Sequence, residues 1–156
     1  MINAKAAKVK TDIVNFHENI ILIAEKIKKQ AEKGEFILHE PMSEQIKDIF
    51  RSFGYIVDNA NNIYWNDSRQ NIFEEEKDIA AKAMQALADG INLKVFDQVN
   101  NLINQQIKHG EYHAMCDFYI SNKVKVTLQN AGFKLYNDDK SNWIINWTNI
   151  EEDEYC

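Results

Sequence analysis

The feature that most constrains this chain is a set of landmarks that occurs twice in the same order. The first set is Gly34-Glu35-Phe36, then Gly54-Tyr55-Ile56-Val57, then Ile63-Tyr64-Trp65. The second is Gly110-Glu111-Tyr112, then Gly132-Phe133-Lys134-Leu135, then Ile145-Asn146-Trp147. The offset between sets grows along the chain, from positions 34 and 110 through 54 and 132 to 65 and 147, so short insertions fall between landmarks. Glycines, aromatics and apolar periodicity recurring in one order point to tandem duplication of a unit that buries a marginal core alone. The expected division is a first module at residues 1–67, a polar joint at 67–71, a second module at 72–150 and an acidic tail at 151–156.

Within each module the spacing of apolar residues sets the elements. Ile13, Phe16, Ile20, Ile23, Ile27 and Ala31 recur at gaps of three and four, which predicts a helix stopped by Gly34. The alanine-rich leader at residues 4–9 either extends that helix or forms a separate one. Phe36-Ile37-Leu38 reads as a short strand, and Pro41 excludes helix just before it. Ser43 opens a second helix carrying Ile46, Ile49, Phe50 and Phe53, and Gly54 ends it. A hairpin then runs from Tyr55 to Trp65 around Asp58-Asn59-Ala60-Asn61-Asn62. The second module repeats helix, strand, helix and hairpin, with Ala80 to Tyr112 overlying Ala4 to Phe36 and a longer final turn at residues 137–142. The predicted class is α+β: a duplicated helix, short strand, helix, β-hairpin unit, with small antiparallel sheets packed on amphipathic helices.

Composition removes several function classes. The net charge is −6, and the excess lies in the second half: residues 1–67 hold nine Lys/Arg against ten Asp/Glu, residues 68–156 nine against fourteen. Nucleic-acid binding needs a basic stripe. The nearest candidate, Lys26, Lys28, Lys29 and Lys33, is interleaved with Glu25 and Glu32 and reads as a solvated helix face. The most apolar run, residues 20–24, is too short for a membrane span. Residues 1–10 lack an apolar run of signal length, and two cysteines make no disulfide framework, so a reducing cytoplasm is the expected compartment.

The closing elements of each module carry a resemblance. Gly54-Tyr55-Ile56-Val57 with Ile63-Tyr64-Trp65, and Gly132-Phe133-Lys134-Leu135 with Ile145-Asn146-Trp147, resemble a module of uncharacterised tailed-bacteriophage proteins that ends in Gly-Tyr-x-Val and a Tyr-x-Ile-Ser-Trp hairpin. The second set departs from it with Phe for Tyr, Leu for Val and Asn for Ser. The resemblance covers nearly the whole chain and implies a phage origin; it carries no activity over.

Chemistry-bearing groupings are sparse. His109, His113 and Cys116 have metal-like spacing, but a fourth ligand would have to come from Asp117 or the distant Cys156, and residues 113 and 116 of a strand face opposite sides. Glu74-Glu75-Glu76 with Asp78 fits a helix start, where the dipole favours acids. There is no Gly-x-Ser-x-Gly and no phosphate-binding glycine loop. Neither cofactor nor metal is expected, and Trp65 and Trp147 read as core. The expected function is that of a non-enzymatic phage structural or assembly protein, in the host cytoplasm during infection or in the virion, contacting itself or other phage proteins. Tyr64, Tyr136 and Trp143 are its candidate contact aromatics, on the hairpin face away from the helices. The alternative is a counter-defence protein that sequesters a nucleotide-like small molecule in a pocket between modules or subunits, with Lys47, Arg51, Lys123 and Lys125 as phosphate contacts.

Overall fold

A computed structural model describes residues 3–138 and 142–148. The chain is α+β and divides into two compact units, residues 1–89 and 90–156. The acidic tail expected at 151–156 lies outside the described residues.

The first unit begins with α1 (Ala4–Asn15) and α2 (His17–Glu32). The leader is therefore a separate helix, and the chain leaves helical geometry at Phe16 between the two. α2 buries Ile20, Ile23, Ala24, Ile27 and Ala31, the face its periodicity predicts. The helix ends in a paired cap: the Gly34 N–H donates to the Ala31 carbonyl and the Glu35 N–H to Gln30, with Gly34 at a φ of 83°. Only glycine adopts that geometry at no steric cost. β1 (Ile37–His39) follows, then α3 (Glu44–Ser52), whose Ser43 cap accepts the Ile46 N–H at 3.3 Å. β2 (Ile56–Val57) and β3 (Asn62–Tyr64) form the hairpin, and the sheet order is β1-β3-β2, all antiparallel.

This core is aromatic. Trp65, Phe50, Phe53 and Tyr55 are fully buried or nearly so, and their rings meet edge to face at 5.6–6.3 Å, a geometry their quadrupoles favour. Their polar handles are satisfied. The Trp65 indole donates to the Glu35 carbonyl at 2.9 Å, and the Tyr55 hydroxyl to the Ile79 carbonyl at 2.6 Å. Beyond β3 a 3₁₀ segment (Glu74–Ile79) leads into α4 (Ala81–Lys108). Phe73, Ala81, Met84 and Ala88 complete the first core, which is why this unit extends to residue 89 rather than ending at the polar joint.

From Gly90 onward α4 belongs to the second unit, where Val99 and Ile103 are buried. β4 (His113–Cys116), α5 (Asn122–Asn130), β5 (Lys134–Asn137) and β6 (Trp143–Asn146) follow, in sheet order β4-β6-β5. Ser121 caps α5 through the Val124 N–H, also at 3.3 Å, and Gly110 and Gly132 close their helices with the same paired bonds as Gly34 and Gly54. The hairpin differs from the sequence expectation in one respect. Its turn is not longer: Asp58 accepts the Asn62 N–H at 2.9 Å, and Asp138 accepts the Asn142 N–H at 2.9 Å, so both turns are closed across the same span. The added residues lengthen the strands. β5 pairs with β6 over four residues, whereas β2 pairs with β3 over two.

Candidate functional site

Among the described residues no three His, Cys, Asp or Glu side chains gather as a metal site. In β4, His113 is exposed on one face and Cys116 buried on the other. Burial, and secondarily the Asp117 charge, pushes the Cys116 thiol up to about 11, so it is a poor nucleophile at neutral pH. Glu74 and Glu75 are engaged by Lys77 at 3.0 Å and Lys10 at 3.8 Å. No helix among the described residues is long and apolar enough to cross a membrane.

The cations proposed from sequence are largely occupied. Lys47 is buried with its ammonium 3.3 Å from Glu44. The Arg51 guanidinium donates to the Val57 carbonyl from Nε (3.3 Å) and Nη2 (2.9 Å), and from Nη1 to Asp48 at 3.0 Å. Lys125 lies 4.1 Å from the centre of the Trp143 ring, a cation–π contact. Lys123 is exposed at the start of α5. Arg51 also borders a hollow of about 330 Å³ in the first unit with Lys5 and an apolar floor of Ala6, Val9 and Phe73, but Asp48 shares that wall and neutralises the guanidinium.

The three aromatics fall in three environments. Tyr64 is half-buried and its hydroxyl donates to Asp58 at 3.3 Å. Asp58 itself is held below the usual carboxylate range, first by the Asn62 backbone N–H, then by the Asn62 side chain. Trp143 is not on the outward face. It shares the inward side of the sheet with Ile145, Ala114 and Cys116 and packs on the second core. Tyr136 does face outward, 47% exposed, beside Ile144, which in turn pairs with Met115. These three make a cross-strand apolar row on the outer face of the second sheet. The first sheet has a smaller counterpart in Ile37, Tyr64 and Ile56. Met115 and Ile144 were not among the sequence candidates; only the strand register aligns them with Tyr136.

The geometry thus defines a class: an α+β protein of two sheet-and-helix units that presents apolar sheet faces and, among the described residues, no assembled catalytic or metal centre. Neither a protein-family model, nor a curated protein, nor a solved structure matches the chain.

Proposed function

We propose that this protein is a non-enzymatic structural or assembly component of a tailed phage, acting through protein–protein contacts in the infected host cytoplasm or within the particle. The resemblance of the two hairpin motifs supplies the phage origin. The observation that carries the contact role is the outward row of Met115, Ile144 and Tyr136, three large apolar side chains set side by side across the strands rather than scattered singly. Contact surfaces favour Tyr and Met over charged groups. The small-molecule alternative has less support, because Lys47 and Arg51 already bond protein acceptors. A tandem duplication accounts for the matching caps, sheet orders and turn closures of the two units.

Mass spectrometry of purified virions and of assembly intermediates from infected cells tests the reading. The protein should be found in one or both. Its absence from every particle and intermediate, with abundant free protein in the lysate, would overturn the role.

A further inference from the structure

We propose that the protein self-associates about a two-fold axis through the free edge of its second sheet, β5 pairing antiparallel with β5 of a second copy. The inference rests on the contact reading and specifies its surface.

In the first unit each sheet edge has one carbonyl met by a side chain. The Ile37 carbonyl on β1 accepts from Gln30 Nε2 at 3.4 Å, and the Val57 carbonyl on β2 accepts from Arg51. Gln129 stands in the second unit where Arg51 stands in the first, and β5 is twice as long as β2. The bond from Asp138 N–H to the Asn142 carbonyl fixes which β5 groups face inward. Tyr136 and Lys134 turn their backbone N–H and C=O toward β6, whereas Leu135 and Asn137 turn theirs away. Among the described residues nothing bonds those outward groups. An edge of this kind is a template for another strand.

One register satisfies all of it. Placing Leu135 opposite Asn137 of the second copy, and Asn137 opposite its Leu135, satisfies two N–H and two C=O groups on each copy. Tyr136 then lies on the axis against its own counterpart, as an aromatic cross-strand pair. The row Met115, Ile144, Tyr136 becomes a continuous stripe through both sheets. Lys134, which has no ion-pair partner among the described residues, falls directly opposite Asp138 of the second copy, and the reverse holds across the axis. The charges therefore complement one another in the symmetric register. The other edge of the same sheet lacks this property. Pairing β4 with itself through His113 and Met115 would set Glu111 against Asp117 of the second copy, like charge against like. A closed, isologous contact at β5 leaves no growing edge there.

Analytical ultracentrifugation of the full chain, combined with hydrogen exchange, tests this. The expected species has twice the 18.2 kDa chain mass, with the Leu135 and Asn137 amides protected and exchanging freely on dilution to monomer. Asn137→Pro deletes an outward N–H and no bond to β6, and Tyr136→Lys places like charges on the axis; each should give a monomer with an unchanged circular-dichroism spectrum. If Asn137→Pro fails to fold, Tyr136→Lys, which leaves the backbone intact, decides. A wild-type monomer at the highest soluble concentration overturns the pairing, and so does a dimer that survives the folded variants or leaves both amides unprotected. A monomer that nevertheless assembles into particles would sink this contact alone and leave the proposed role standing.

Discussion

Gly54 and Gly132 form a controlled pair within one molecule. Both follow a helix at nearly the same backbone angle, φ of 94° and 96°. Alanine at either position must adopt a left-handed conformation, a cost of about 1–2 kcal/mol. The stiffer unfolded chain returns about 0.4–1 kcal/mol of it, so Gly132→Ala should lose about 1 kcal/mol; a Cβ there meets nothing within 4 Å. At Gly54 the added Cβ would lie 2.3 Å from the Arg69 carbonyl oxygen, a backbone atom that cannot rotate away. The segment carrying it is tied down, since the Arg69 N–H donates to the Gly54 carbonyl at 2.8 Å and the Ile72 N–H to Ser52 at 2.9 Å. Shifting that segment adds an overpacking cost of about 1–3 kcal/mol. Gly54→Ala should therefore lose about 2–4 kcal/mol. Urea denaturation followed by hydrogen exchange, reading peptides from residues 3–89 and 90–148 separately, measures each loss in its own unit. Equal losses for the two variants, or a Gly54→Ala effect confined to the second unit, would refute the reasoning.

The helix caps offer a second pair. Ser43→Ala removes one part-buried cap bond and should cost about 1 kcal/mol, whereas Ser121→Ala also removes the buried bond from Ser121 Oγ to Asn92 Oδ1 at 2.6 Å and should cost about 2–3 kcal/mol in thermal or urea melts. Asp58 ionises more readily folded than unfolded, so its stabilising contribution is complete above the ordinary carboxylate pKa and disappears as pH falls through its lower folded value. The stability advantage of wild type over Asp58→Asn should accordingly be present at neutral pH and shrink below about pH 4; an advantage that grows on acidification would contradict it. In a Cys156→Ser chain, Cys116 should resist a thiol reagent at pH 8 while folded and react at once in denaturant. Fast reaction of the native chain would show that the buried, raised-pKa thiol is misassigned.

Local punctuation was legible in the sequence, and long-range partnership was not. Gly34, Gly54, Gly110 and Gly132 stop helices as their positions imply, because a left-handed residue after an apolar helical run has few other uses. Ser43 and Ser121 cap as read. Helical periodicity, however, states which face is buried and not against which core. The faces of residues 12–33 and 80–107 look alike, yet the chain breaks at Phe16 in one and runs unbroken through Asn92 in the other. Trp143 departs from the expected outward face for a related reason. Alternation separates two faces but does not label them, and the hairpin's extra residues went to the strands, which set Trp143 beside Ile145 on the inward side. Of the outward row, Tyr136 was visible as an aromatic, while Met115 and Ile144 needed the pairing register.

The two units diverge where cover is present or missing. Ile49, Ser52 and Phe53 on α3 and just beyond it are buried, and α1 packs against that helix. Their counterparts, counted from the capping serines, are Thr127, Asn130 and Ala131, all exposed. Polar and small residues at these positions have no large apolar surface that a covering helix would need to bury. The outer sheet face is apolar in both units, and in the second Met115 and Tyr136 are exposed beside an edge that is unbonded among the described residues. The second unit thus sets a polar helical face on α5 against an apolar outer sheet row beside β5, the strand that the proposed two-fold contact uses.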